Sequence, residues 1–175
     1  ECMKKLVFIF LVFVSVFSFS REDFTKNEKN AVLKQFTEFQ KAVKNKDIKA
    51  IEKFIDGSLY GLVLNDGPAY RLNTESVSYD EIVRYKDEFF KSLKEVTLVK
   101  TDLKNNEVIK YTKGEETISA DFFIMEEDNY IWGHKGDKMF EVSAFYDDPE
   151  YPSVAQYIFK MKDSQLKFIC IYSMP

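Results

Sequence analysis

A chain of 175 residues, 45% hydrophobic and 31% charged, is long enough to bury a core without disulfides. Its net charge of −4 argues against a nucleic-acid partner, because such binders carry a basic patch and a high pI. One histidine and two cysteines, one of them at position 2, do not supply the usual zinc ligand sets.

Residues 1–20 read as a signal peptide. Met3 fits a start, with Glu1 and Cys2 upstream of it. Lys4 and Lys5 form a basic region, Leu6 to Phe17 an apolar one, and Ser18-Phe19-Ser20 a site of the kind a signal peptidase cleaves. The alternative is an uncleaved anchor, although the apolar run is shorter than the ~20 residues of a membrane span. No cysteine follows the run, which argues against lipid attachment. Cleavage after Ser20 leaves one expected domain, residues 21–175, in the periplasm or secreted. Without Glu1, Lys4 and Lys5 the 25 basic residues fall by two and the 29 acidic ones by one, for a net charge of −5. Cys170 is then the only thiol. It lies in the apolar run Phe168 to Ile171 and reads as a buried small hydrophobe. The abundance of Lys, Phe and Ile suggests a bacterial protein.

Thr25 and Glu28 have capping-box spacing. Val32, Phe36, Phe39 and Val43 follow at steps of four, three and four, so they share one helical face. Asp47 caps a second helix with the stripe Ile48, Ile51, Phe54 and Ile55, and Gly57 is its expected stop. Neither helix is stable alone, so both faces need covering. Ser58 to Leu64 reads as a strand, Asn65 to Pro68 as a turn and Ala69 to Asn73 as a returning strand. Ser78 and Glu81 repeat the capping box before a third helix lined by Ile82, Tyr85, Phe89 and Leu93.

From Glu95 the period becomes two. Val96, Leu98 and Lys100 alternate with Thr97, Val99 and Thr101, and strands are expected at Val108–Thr112, Thr117–Met125 and Lys138–Tyr146. Tyr130 to Gly133 either continues the sheet or ends it, with Tyr130 and Trp132 on one strand face. A final hairpin, Val154–Lys162 and Gln165–Ser173, turns at Asp163-Ser164. Consecutive strands with short connections pair antiparallel, so the expected fold is α+β, three N-terminal helices on a strongly curved antiparallel sheet.

This element order, and the run "FQKAVKNKDIKAIEKFID" at residues 39–56, resembles the nuclear-transport-factor-2-like (cystatin-like, SnoaL-type) superfamily. The resemblance covers residues 21–175 and implies a cone whose pocket, where one exists, lies between helices and sheet. Sheet-to-sheet homodimers are common in that family. Its members include isomerases, dehydratases, cyclases, transport factors and immunity proteins, so the fold by itself selects no activity.

No nucleophile elbow, phosphate loop or dinucleotide fingerprint is present. His134 sits between Gly133 and Gly136 and reads as a surface loop residue. The acidic stretches at 126–128 and 147–150 lack calcium-loop spacing, and neither metal nor cofactor is expected. Lys41, Lys44, Lys46, Lys49 and Lys53 form a basic surface, a solvated face by default and a site for an acidic partner in the sharper reading. Asp121 and Glu141 are each a carboxylate in an apolar strand. The solvent face is the ordinary place for them, and the cavity is the alternative. The aromatic residues Tyr60, Tyr70, Tyr130, Trp132, Tyr146, Tyr151 and Tyr157 cluster in the ribbon and the late strands, mostly as core. Tyr and Trp also line ligand pockets and interfaces.

The expected function is an exported, non-catalytic binding domain for a protein partner or a small apolar ligand, with an immunity or inhibitor protein as one form. Its candidate residues are Trp132, Tyr130, Tyr60, Tyr146 and Asp121. The alternative is a cone-pocket isomerase or lyase using Asp121 or Glu141 with a Tyr. An open pocket holding a buried carboxylate beside a Tyr hydroxyl favours the enzyme, and an interior filled by Phe argues against it.

Overall fold

The computed structural model describes residues 24–61, 76–147 and 153–174. The signal segment, the returning strand at 69–73, Tyr70 and Tyr151 lie outside the described residues. Among those described, no helix is long and apolar enough to cross a membrane.

Helix α1 spans Lys26–Lys44. Its capping box is complete: the Thr25 N–H donates to Glu28 Oε2 at 2.8 Å, and the Glu28 N–H donates back to Thr25 Oγ1 at 3.2 Å. The expected face, Val32, Phe36, Phe39 and Val43, is buried, with Leu33, Gln40 and Ala42 beside it. Lys46, at φ 51°, turns the chain into α2, Ile48–Glu52, which Asp47 caps through the Ala50 N–H at 3.0 Å. Here the expected stripe ends early. Phe54 and Ile55 are buried outside the helix, and Ile55 opens strand β1, Ile55–Tyr60, so Gly57 lies inside a strand and stops no helix.

The third helix is two short ones, α3 at Tyr79–Arg84 and α4 at Lys86–Ser92, divided at Tyr85 (φ −112°, ψ 40°). The Ser78–Glu81 capping box opens α3 as expected. Beyond the break the adjacent Phe89 and Phe90 are both buried, their ring centroids 5.3 Å apart. Residues 95–97 form a 3₁₀ turn instead of the expected strand. Val96 and Val99, three apart, face the core, and the Gln40 amide donates to both of their carbonyls, at 2.7 and 2.9 Å.

The expected strand at 108–112 is two. β3 (Lys100–Asp102) and β4 (Glu107–Ile109) make a separate ribbon, whereas β5 (Tyr111–Lys113) joins the main sheet beside β6 (Glu116–Ile124). β7 (Lys138–Tyr146), β8 (Ser153–Lys162) and β9 (Gln165–Met174) complete the sheet, and β2 (Ser76–Ser78) pairs with β1. The turn between β8 and β9 puts Asp163 and Ser164 at φ 49° and 63°, as a two-residue hairpin turn requires.

The main sheet has seven strands in the order β2-β1-β9-β8-β7-β6-β5. It is mixed and not wholly antiparallel, because β1 runs parallel to β9. The protein is therefore α+β with helices packed on a mixed sheet. Phe36, Phe39, Phe54, Phe89, Phe140, Phe159 and Phe168 are fully buried between the layers. Phe39 meets Phe54, Phe159 and Phe168 with ring centroids 5.1–5.3 Å apart. Each such side chain contributes ~1.5–3 kcal/mol by burial, and each ring pair ~0.5–1.5 more. A smaller cluster, Met125, Met139, Ile158 and Cys170, occupies the opposite face of the same sheet.

A candidate binding groove beneath the β6–β7 loop

The smaller cluster exists because the β6–β7 connection, residues 125–137, folds back over the sheet. Its base closes with Met125 N–H to Asp137 O at 3.0 Å and Gly136 N–H to Met125 O at 2.9 Å. Inside it, Asn129 and Gly133 exchange backbone hydrogen bonds at 2.7 and 2.9 Å. Asn129 Oδ1 accepts from the Ile131 and Trp132 N–H groups at 2.9 and 3.0 Å, a side chain copying a backbone turn. Residues 130–133 are thus a tight loop and not a strand, and Tyr130 and Trp132 do not share a strand face. Tyr130 stands out in solvent, 77% exposed. Trp132 turns down onto the sheet, edge-on to Tyr172 at 6.2 Å.

The sheet prepares a place for it. At Phe168–Cys170 the β8–β9 register slips: Ile158 pairs with Cys170 and Phe159 with Phe168. The extra residue, Ile169, joins Cys170 against Trp132. Burial pushes the Cys170 thiol up to about 11, partly offset by its hydrogen bond from Trp132, so it stays a buried, protonated group.

Beside this contact lies a groove of about 290 Å³. Asp56, Ser58 and Tyr60, alternate residues of β1, line it with Tyr130, Ile131 and Trp132 of the loop, Ile169 of β9 and Lys160 and Lys162 of β8. Its charges are paired. Lys160 Nζ donates to Asp137 Oδ2, and Lys162 Nζ to Asp56 Oδ2, each at 2.5 Å. Burial raises the Asp137 carboxyl, but Lys160 and the His134 N–H outweigh it and hold the group below its ordinary value. The Lys162 hydrogen bond likewise lowers Asp56, and Asp56 raises Lys162 in turn. His134 is a surface residue at the rim, its ring 3.6 Å from Asp128.

Of the five residues singled out from the sequence, Tyr60, Tyr130 and Trp132 meet at this groove. Asp121 and Tyr146 do not. Asp121 is exposed on the sheet face opposite the helices, directly across from Glu141 in the strand register. Glu141 is held there by Ser143 and by the Gln156 amide at 2.8 Å. Tyr146 lies on the helix side, where its hydroxyl donates to Glu95 at 2.9 Å; Tyr157 donates to the other oxygen of Glu95 at 2.8 Å. Burial first, and Glu95 second, push both phenols well above their ordinary value, so they remain protonated. This cluster ties the 3₁₀ turn to the sheet. It places a carboxylate beside Tyr hydroxyls, but its members are neither Asp121 nor Glu141.

Sequence reasoning did not single out Asp56, Asn129, Asp137, Lys160 and Lys162. The available signal was the Asn129-to-Gly133 spacing, a polar side chain four residues before a glycine, which marks a closed turn. Among the described residues no group of three metal-binding side chains gathers. Compared with known proteins, the chain matches no family model, no curated protein and no solved structure.

Proposed function

We propose that the protein is a non-catalytic binding domain that works through the groove beneath the β6–β7 loop. The observation that carries this reading is the convergence of Tyr60, from β1, with Tyr130 and Trp132, from the distant loop, on one concave surface. Aromatic side chains with a polar tip are the usual anchors of such sites. The seven Phe side chains fully buried between the layers support the same reading, since they occupy space a ligand would need there. The order of a capped helix, a short capped helix, two strands, two further short helices and then the rest of the sheet supports a nuclear-transport-factor-2-like architecture. With the apolar, lysine-led N-terminus, it supports an exported member acting on a partner or ligand in the cell envelope.

The test is capture from an envelope fraction by the immobilised chain, in parallel with Tyr130→Ala. Tyr130 is exposed enough that its removal leaves the fold intact. Retention that Tyr130→Ala loses is the expected result. Retention unchanged by Tyr130→Ala places the working surface elsewhere.

A further inference from the structure

We infer that the groove takes a neutral, hydroxyl-rich ring, a pyranose sugar or a short saccharide. The inference rests on the groove being the working surface. Charge is the first observation. The two lysines that line the groove are each neutralised by an aspartate, Lys162 by Asp56 on the lining and Lys160 by Asp137 outside it. A charged ligand would meet no net opposite charge and would have to break a formed pair.

The second observation is the arrangement of donors and acceptors. The Asp56–Lys162 pair sets an ammonium beside a carboxylate that still has lone-pair capacity, and Ser58 adds a hydroxyl between Asp56 and Tyr60. A sugar hydroxyl donates and accepts at once, so vicinal hydroxyls can bridge such a pair without displacing it. A purely apolar ligand would bury these groups and leave their remaining capacity unmet. Third, Tyr130, Tyr60 and Trp132 line the groove, and aromatic rings suit the C–H face of a pyranose. The volume, about 290 Å³, stands at the lower end of the ~300–1,000 Å³ of small-molecule pockets, room for one or two rings.

The chain has a single tryptophan, Trp132, so its emission reports on the groove alone. The full chain is titrated with methyl β-glucopyranoside, maltose and N,N′-diacetylchitobiose. Glucuronate and the glucosaminium cation serve as charged rings, and benzyl alcohol as an apolar ring. The expected result is a saturable shift with at least one neutral sugar and none with the three comparators. Tyr130→Ala and Asp56→Asn, both at exposed positions, each weaken it about tenfold, with circular dichroism unchanged. A shift as strong with a charged ring, a shift with benzyl alcohol alone, or no shift with any of the three sugars up to millimolar concentration overturns the saccharide inference. Tyr130-dependent capture from the envelope fraction would then still hold the groove as a binding surface. Its absence together with silent titrations removes both readings.

Discussion

Gly133 is where the loop, the ion pair and the groove meet, and Gly133→Ala tests whether that geometry matters. Its φ of +149° lies in a region that L side chains rarely adopt, and an added Cβ would stand 2.3 Å from Asp137 Oδ2 and 3.0 Å from Lys160 Nζ. Backbone strain at such a position costs ~1–3 kcal/mol. Displacing Asp137 also disturbs its bonds from Lys160 and from the His134 N–H, charge-assisted contacts worth ~1.5–3 kcal/mol. The expected loss is about 2.5–6 kcal/mol, or a melting point lower by roughly 5–24 °C for a chain of this size. The assay is urea and thermal unfolding followed by circular dichroism, with Trp132 emission and hydrogen exchange at the Met125 and Gly136 amides. Gly136→Ala is the comparator: its φ is +91°, but nothing lies within 4 Å of an added Cβ, so it carries strain without touching the ion pair. Gly133→Ala should therefore cost more than Gly136→Ala and should red-shift Trp132. Equal costs with unchanged emission would refute the view that Gly133 shapes the groove.

Gln40→Leu keeps the volume but leaves the Val96 and Val99 carbonyls without their donor, so about 2–4 kcal/mol should be lost in urea unfolding after the gain from the apolar replacement. The Lys138 hydrogen bond, with those from Thr25, takes Glu28 from the ordinary 4.5 to about 2. Because the folded value lies below the unfolded one, the stabilisation is full above about pH 4.5 and disappears as pH falls toward 2. With 41% of the Glu28 side chain exposed, screening leaves this contribution at ~1 kcal/mol, and Lys138→Met should flatten this acid limb. Tyr146 and Tyr157 act in the opposite direction. Their folded values lie above the ordinary 10.0, so stability is full below about pH 10 and falls as pH rises beyond it. Tyr157→Phe should lose ~1–2 kcal/mol at neutral pH, make the alkaline limb shallower and leave ligand capture at the groove unchanged.

Local chemistry made much of the fold legible. Thr25–Glu28 and Ser78–Glu81 announce helix starts because a capping box needs only four residues. Asp163-Ser164 announces the final hairpin, and Lys138–Tyr146 reads as a strand because its alternation is unbroken. What was missed is set by contacts distant in sequence. Val96 and Val99 look like part of an alternating strand until Gln40, from another helix, takes their carbonyls. The parallel pairing of β1 with β9 leaves no mark on either strand, and no glycine or proline marks the break at Tyr85. The groove divides in the same way. Its aromatic residues stand out by type, whereas Lys160 and Lys162 look like ordinary solvated charges until Asp137 and Asp56 are seen opposite them.

The position of β9 has a kinetic consequence. It is the last described strand in sequence, yet it sits between β1 and β8 near the middle of the sheet. The helices can form early, and the β6–β7–β8 meander can pair from neighbours. β1 and β2, however, have no place to dock until β9 has joined. Closing that long loop must precede the reward of burying Leu59 and Phe168, which makes folding slow and all-or-none in character. Until residues 165–174 are released, the Phe-rich face of α1 stays short of its cover. A chain cut before Gln165 should therefore remain an aggregation-prone collapsed state and not a smaller folded domain.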